Sequence, residues 1–142
     1  MLVLAIDPGR NKCGLLLANL DKALVLEGKV LGVDSLIDYI RELIDTNPIE
    51  LILLGNGTSS EYWEKTFNCF LPVELVDEEG TTLLARERYW EMRPPDKFLR
   101  FIPRSLLFPP KNLDAVAALV IVERYFGKKL YWPEVPDFRT LL

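Results

Sequence analysis

Histidine is absent from all 142 residues. That single absence removes Ser-His-Asp and Cys-His catalysis, imidazole acid–base work and nearly every zinc hydrolase. Cysteine is scarce: Cys13 and Cys69 are the only two. They lie far apart with no CxxC pair, so zinc and redox work are not expected, and both are read as small buried hydrophobes. No apolar run is long enough to span a membrane, and Met1 enters the first apolar segment without a basic leader. The expectation is therefore no signal peptide, no membrane partner and a cytoplasmic location. Positive charge is not in excess either, and a net charge of -4 argues against a protein that coats nucleic acid indiscriminately. Any metal must be held by oxygen, and such hard ligands suit Mg2+ or Mn2+.

What is present begins at the first strand. Leu2-Val3-Leu4-Ala5-Ile6 is a short apolar run that stops at Asp7-Pro8-Gly9-Arg10. Pro-Gly forces a sharp turn, so Asp7 is held at a strand end beside solvent. An ionised carboxylate there is costly unless a cation meets it. Asp before Pro-Gly is also ordinary turn chemistry, and that reading stays open.

The rest of the chain reads as one α/β domain over residues 1–142. Leu15 to Leu20 and Ala23 to Leu31 complete an antiparallel three-strand meander. From Asp34 the period changes, with Leu36, Ile37, Ile40, Leu43 and Ile44 on one helical face until Asn47-Pro48. Ile49 to Leu54 has the unbroken apolar character of a parallel strand buried on both faces, and a helix follows Ser60. Pro72 to Val76 is a further strand. Thr81-Thr82 is placed as the cap of a helix from Leu83 to Met92, and Asn112-Leu113-Asp114 opens a last helix ending at Gly127. Between them, residues 93–111 form a long connection rich in proline, aromatic and basic residues. The tail from Lys128 shows no periodicity. The expected fold is a mixed sheet of about five strands with helices on both faces, where ligands gather at the carboxyl ends of the strands.

In that architecture Asp7, Asn56, Asp77 with Glu78, and Asp114 all fall at one end of the sheet. Four chain-distant segments each deliver an oxygen ligand. Crowded carboxylates raise one another's pKa unless a divalent ion neutralises them, so the cluster predicts metal. Two ions about 4 Å apart would activate a water and stabilise the leaving oxygen of a phosphodiester. Taken singly, each acid also has a turn or helix-dipole explanation; their coincidence carries the argument. Residues 86–111 carry a net charge of +4 against -8 for the remainder, which makes this segment the natural surface for a phosphate backbone. Gly55 to Ser60 could instead cradle a phosphate on backbone amides, although it lacks the Gly-Lys-Ser/Thr of a P-loop. Trp63, Trp90 and Trp132 read as core or interface residues.

Four motifs in order resemble the YqgF/RuvX-like family, proteins of RNase H fold described as Holliday-junction resolvases and as pre-16S rRNA-processing nucleases. They are Ala5-Ile6-Asp7-Pro8-Gly9-Arg10 with Lys12 and Gly14-Leu15; Leu54-Gly55-Asn56-Gly57-Thr58-Ser59; Val76 to Thr82 with Ala85 to Trp90; and Pro109-Pro110 running to Leu113-Asp114, Ala117-Ala118 and Glu123-Arg124-Tyr125. The resemblance implies metal-dependent cleavage of branched DNA or precursor rRNA. Asp7, Glu78 and Asp114 would be the catalytic triad, and Asp77 and Asn56 further candidates at the Mg2+ or Mn2+ site. Arg10, Arg86 and Lys111, with Thr58 and Thr81, are the candidate nucleic-acid contacts. Junction resolution would call for a homodimer with paired sites. The chain departs from RuvC-type resolvases at Asn56, where those carry a glutamate, and at Ala117-Ala118, where those carry a second acid. This lean acid set leaves a noncatalytic binding module as the alternative. The Asp-x-Gly turn also resembles the phosphate loop of actin-like ATPases, which need a second lobe.

Overall fold

The computed structural model describes residues 1–57, 59–95, 101–103 and 112–136. The apolar runs at the start pair as an antiparallel meander of β1 (Leu2–Asp7), β2 (Lys12–Asn19) and β3 (Leu24–Gly32). A crossover through α1 (Leu36–Thr46) brings β4 (Ile49–Gly55) parallel to the free edge of β1. A second crossover through α2 (Ser60–Phe67) sets the short β5 (Val73–Val76) beside β4. The sheet order is β3-β2-β1-β4-β5, with β1 at the centre. Helices α3 (Thr81–Met92) and α4 (Asp114–Phe126) complete the described elements.

Period-two alternation divides the strands between two cores. Leu4 and Ile6 of β1 face α1 and α2, where Leu36, Ile40 and Leu43 form the buried stripe of α1. Val3 and Ala5 face α3 and α4. In α4 every residue from 115 to 122 is buried, because the sheet covers one side while α3, Leu130 and Trp132 cover the other. A helix apolar all round is what such a position requires. Each fully buried Leu or Ile contributes about 1.5–3 kcal/mol, so this packing fixes where α4 begins. Among the described residues no helix is long and apolar enough to cross a membrane.

Several expected details are corrected. The cap of α3 is Gly80, whose φ of 73° suits a residue without a Cβ, and Thr81 and Thr82 lie inside the first turn. Cys69 is exposed, beyond the end of α2, and only Cys13 is buried. The tail, without periodicity, is tied to the sheet: Val25 N–H donates to the Tyr131 carbonyl and Tyr131 N–H to that of Ala23, both at 2.8 Å. Two arginines of the basic segment fasten this tail instead of facing a phosphate backbone. Arg88 pairs with Glu123 at 3.0 Å and donates to the Leu130 carbonyl at 2.9 Å, and Arg93 donates to that of Val135 at 2.9 Å. Most of the 93–111 connection lies outside the described residues.

Candidate metal-binding site

Two glycines of the sheet explain how distant acids meet. Asp7, the last residue of β1, stands opposite Gly14 of β2 in the strand register. A Cβ on Gly14 would collide with the Asp114 carbonyl, so the bare glycine lets the first turn of α4 close onto the sheet beside Asp7. On the other side, β4 and β5 end in register with Gly55 opposite Val76. The carboxylate of Glu78 then folds back against Gly55 and Gly57, where a Cβ at either position would strike its oxygens.

The loop that carries Glu78 is fixed at almost every backbone group. Glu78 N–H donates to Asn56 Oδ1 at 3.1 Å, and the Glu78 carbonyl accepts from Thr81 Oγ1 at 2.8 Å and Thr81 N at 3.0 Å. Arg124 donates from Nη1 to the Asp77 carbonyl and from Nη2 to that of Glu79, both at 2.7 Å. Asp77 Oδ1 accepts from Glu79 N–H at 3.0 Å within the turn.

The electrostatics follow from this crowding. Burial, then a hydrogen bond with Glu78, then the charges of Glu78 and Asp114 push Asp7 up to about 8. Glu78 Oε2 is buried without a hydrogen-bond partner. Burial also raises the thiol of neighbouring Cys13. Asp114 has found a cation: Lys12 Nζ lies 3.5 Å from its Oδ2 and also hydrogen-bonds Asn112 Oδ1. A cleft of about 370 Å³ is lined by Asp7, Lys12, Arg86, Asp114 and Ala117, among others.

Of the residues singled out in the sequence, Asp7, Glu78 and Asp114 are brought together at the sheet mouth, and Arg86 lines the cleft beside them. Asn56 spends its amide oxygen on the Glu78 backbone. Asp77 is exposed and turns its carboxylate into its own loop. Thr81 is buried and supports Glu78, so its hydroxyl offers nothing to nucleic acid. Arg10 is exposed on the turn after β1, while Thr58 and Lys111 lie outside the described residues. Sequence reasoning missed the parts played by Lys12, Arg124 and Asn112. Lys12 stands at the far end of the Asp7 turn, a visible signal; Arg124 gives none, since its target is backbone.

Oxygen donors, a partnerless buried carboxylate oxygen and an acid held up by burial and by two neighbouring carboxylates make a site suited to a divalent cation. The fit is strongest between Asp7 and Glu78. Among the described residues no group of three His, Cys, Asp or Glu side chains stands arranged to hold one ion, and Asp114 is engaged with Lys12.

No protein-family model matches the chain. A Porphyromonas gingivalis protein named "Putative pre-16S rRNA nuclease" is 26% identical over 144 residues, covering 87% of this chain and 94% of its own length. A protein of the same name from Phocaeicola vulgatus is 22% identical over 145 residues, covering 91% and 97%. Among solved structures, T. thermophilus RuvC in complex with a Holliday junction substrate matches with a TM-score of 0.51 at 20% identity, covering 92% of this chain and 99% of that one. The last likeness shows the fold, which is RNase H-like.

Proposed function

We propose that this chain, which belongs to the YqgF/RuvX-like family, is a metal-dependent nuclease that hydrolyses phosphodiester bonds of structured nucleic acid. The observation that carries the reading is the meeting of Asp7, Glu78 and Asp114 at the mouth of the sheet, where burial first, then the hydrogen bond with Glu78 and the two neighbouring charges, hold Asp7 at about 8. Asp7 and Glu78 would hold Mg2+ or Mn2+, with Asp114 facing the same cleft. When bound, a divalent ion supplies an activated water and, in a two-ion form, charge stabilisation at the leaving oxygen. The chain's own contribution is to keep these carboxylates at the end of a rigid sheet. Arg86, at the cleft wall, is placed to receive a backbone phosphate.

Branched DNA and precursor rRNA are the substrates to test, given the relatives' names and the complex in which RuvC was solved. A cytoplasmic site of action goes with this reading, and on a four-way junction two copies would act as a two-fold pair. The experiment is cleavage of a four-way DNA junction and of a precursor 16S rRNA fragment, with Mg2+ or Mn2+ and with chelator. Cleavage in metal alone, lost in the Asp7→Asn, Asp114→Asn double variant by at least about 10³-fold, is expected. Activity that survives the double substitution overturns the mechanism. One observation favours a second reading, a noncatalytic binding module of the same fold: the absence, among the described residues, of three acids arranged around one ion. Binding of a junction or rRNA fragment with no measurable Mn2+ affinity and no cleavage would establish that reading.

A further inference from the structure

We infer that Lys12 is a resident cation of this site: its ammonium stands where a second divalent ion would neutralise Asp114, so that the chain binds one ion, between Asp7 and Glu78. This rests on the metal-dependent reading and changes its ion count from two to one.

The ammonium is placed by structure on both sides. Lys12 opens β2, with its backbone in register with Gly32 and the preceding Asn11 carbonyl accepting Val33 N–H at 3.0 Å. Its Nζ bridges Asp114 Oδ2, at 3.5 Å, and Asn112 Oδ1. Asn112 sits at φ 64°, the left-handed conformation that asparagine tolerates better than most residues. Lys12 therefore meets two side chains at the entry of α4. It remains 47% exposed and lines the same cleft as Asp7 and Arg86, so an incoming phosphate can reach it.

The supply of acids points the same way. Among the described residues no further carboxylate stands at the Asp114 end, so a second ion there would have to take Asp114 from Lys12. Ala117, one turn along α4, has no oxygen to offer. Asn56 and Asp77 direct theirs to backbone N–H groups of the Glu78 loop. Three carboxylates remain, two crowded together and one already facing an ammonium. One divalent ion and Lys12 balance the three carboxylates and leave Arg86 for an incoming phosphate, whereas a second ion would add two further positive charges at close range.

Counting Mn2+ on the full chain by calorimetry and electron paramagnetic resonance tests the assignment. The unaltered protein should bind one ion per chain, Lys12→Ala two, and Lys12→Arg one. Adding Asp114→Asn to Lys12→Ala should return the count to one, because the new ion needs that carboxylate; a merely structural lysine would not give this reversal. Two ions in the unaltered chain, or one in Lys12→Ala, overturns the inference. A chain that binds one Mn2+ but cleaves equally well in chelator overturns metal-dependent hydrolysis and leaves the role of Lys12 standing. No Mn2+ bound by any variant overturns both.

Discussion

Glu78 and Asp114 reach the same place by opposite means. Glu78 lies on a loop after a four-residue edge strand whose Leu75 is 47% exposed, and little packing holds it. Its position comes from discrete hydrogen bonds to Asn56, Thr81 and Arg124. Asp114 heads a helix buried along eight successive residues, and its position comes from how that helix seats on Gly14. A carboxylate held by packing can be lost only by disturbing the core, whereas one held by hydrogen bonds can be loosened a bond at a time. The difference is thermodynamic as well as geometric, since the first kind of damage lowers global stability and the second is local.

Gly14→Val should give the largest effect. The new side chain has no room before the Asp114 backbone, and overpacking of this kind costs about 1–3 kcal/mol. Denaturant unfolding should shift by that amount, and nuclease activity should fall below detection because Asp114 moves with its helix. Lost stability with activity retained would break the claim that packing alone places Asp114.

Asp7, between the two, supplies a pH test. Its folded pKa of about 8 lies above the ordinary value of 3.8, so between these values the folded chain keeps a proton that the unfolded chain has released. Its contribution to metal-free stability is therefore fully present below about pH 4 and is lost as pH rises towards 8. Metal binding needs the ionised form, so Mn2+ affinity should strengthen about tenfold per pH unit well below that value and less as it is approached, about 50-fold from pH 6 to 8. Calorimetry at pH 6, 7 and 8 measures it, and an affinity flat across those values would separate Asp7 from the ion. Arg124→Ala comes next. It frees two carbonyls of the Glu78 loop and, as loss of an outer support, should weaken Mn2+ binding by about 10–100-fold. Because Arg124 is exposed, the unfolding midpoint should move little.

The sheet, both crossovers and the meeting of three acids were legible because they rest on periodicity and on turn residues at strand ends. Ile49 to Leu54 could only be a strand buried on both faces, and Asp7-Pro8-Gly9 could only turn at a sheet mouth. What could not be read depends on side chains reaching across the fold to backbone. Thr81 looked like a cap and is instead a support for the Glu78 carbonyl, since Gly80 already provides the left-handed entry to α3. Arg88 and Arg93 counted towards the basic surface of residues 86–111, and nothing local to them announces Glu123 or the tail carbonyls they hold. Charge counts locate cations along a chain but not their partners.

Asn56 gives the smallest effect and the sharpest one. As a support it contributes a single hydrogen bond to Glu78 N–H, worth about 1 kcal/mol, so Asn56→Ala should weaken Mn2+ binding about fivefold. As a direct ligand it would weaken binding by the same factor in any background, because its oxygen would act on the ion independently of the loop. The two cases separate when the substitution is repeated in Arg124→Ala. With the Asp77 and Glu79 carbonyls already released, the loop is loose and the Asn56 bond has less order left to impose, so the two losses should fall short of additive. Additive losses in a calorimetric double-mutant cycle would instead move Asn56 from the support of Glu78 to the metal itself.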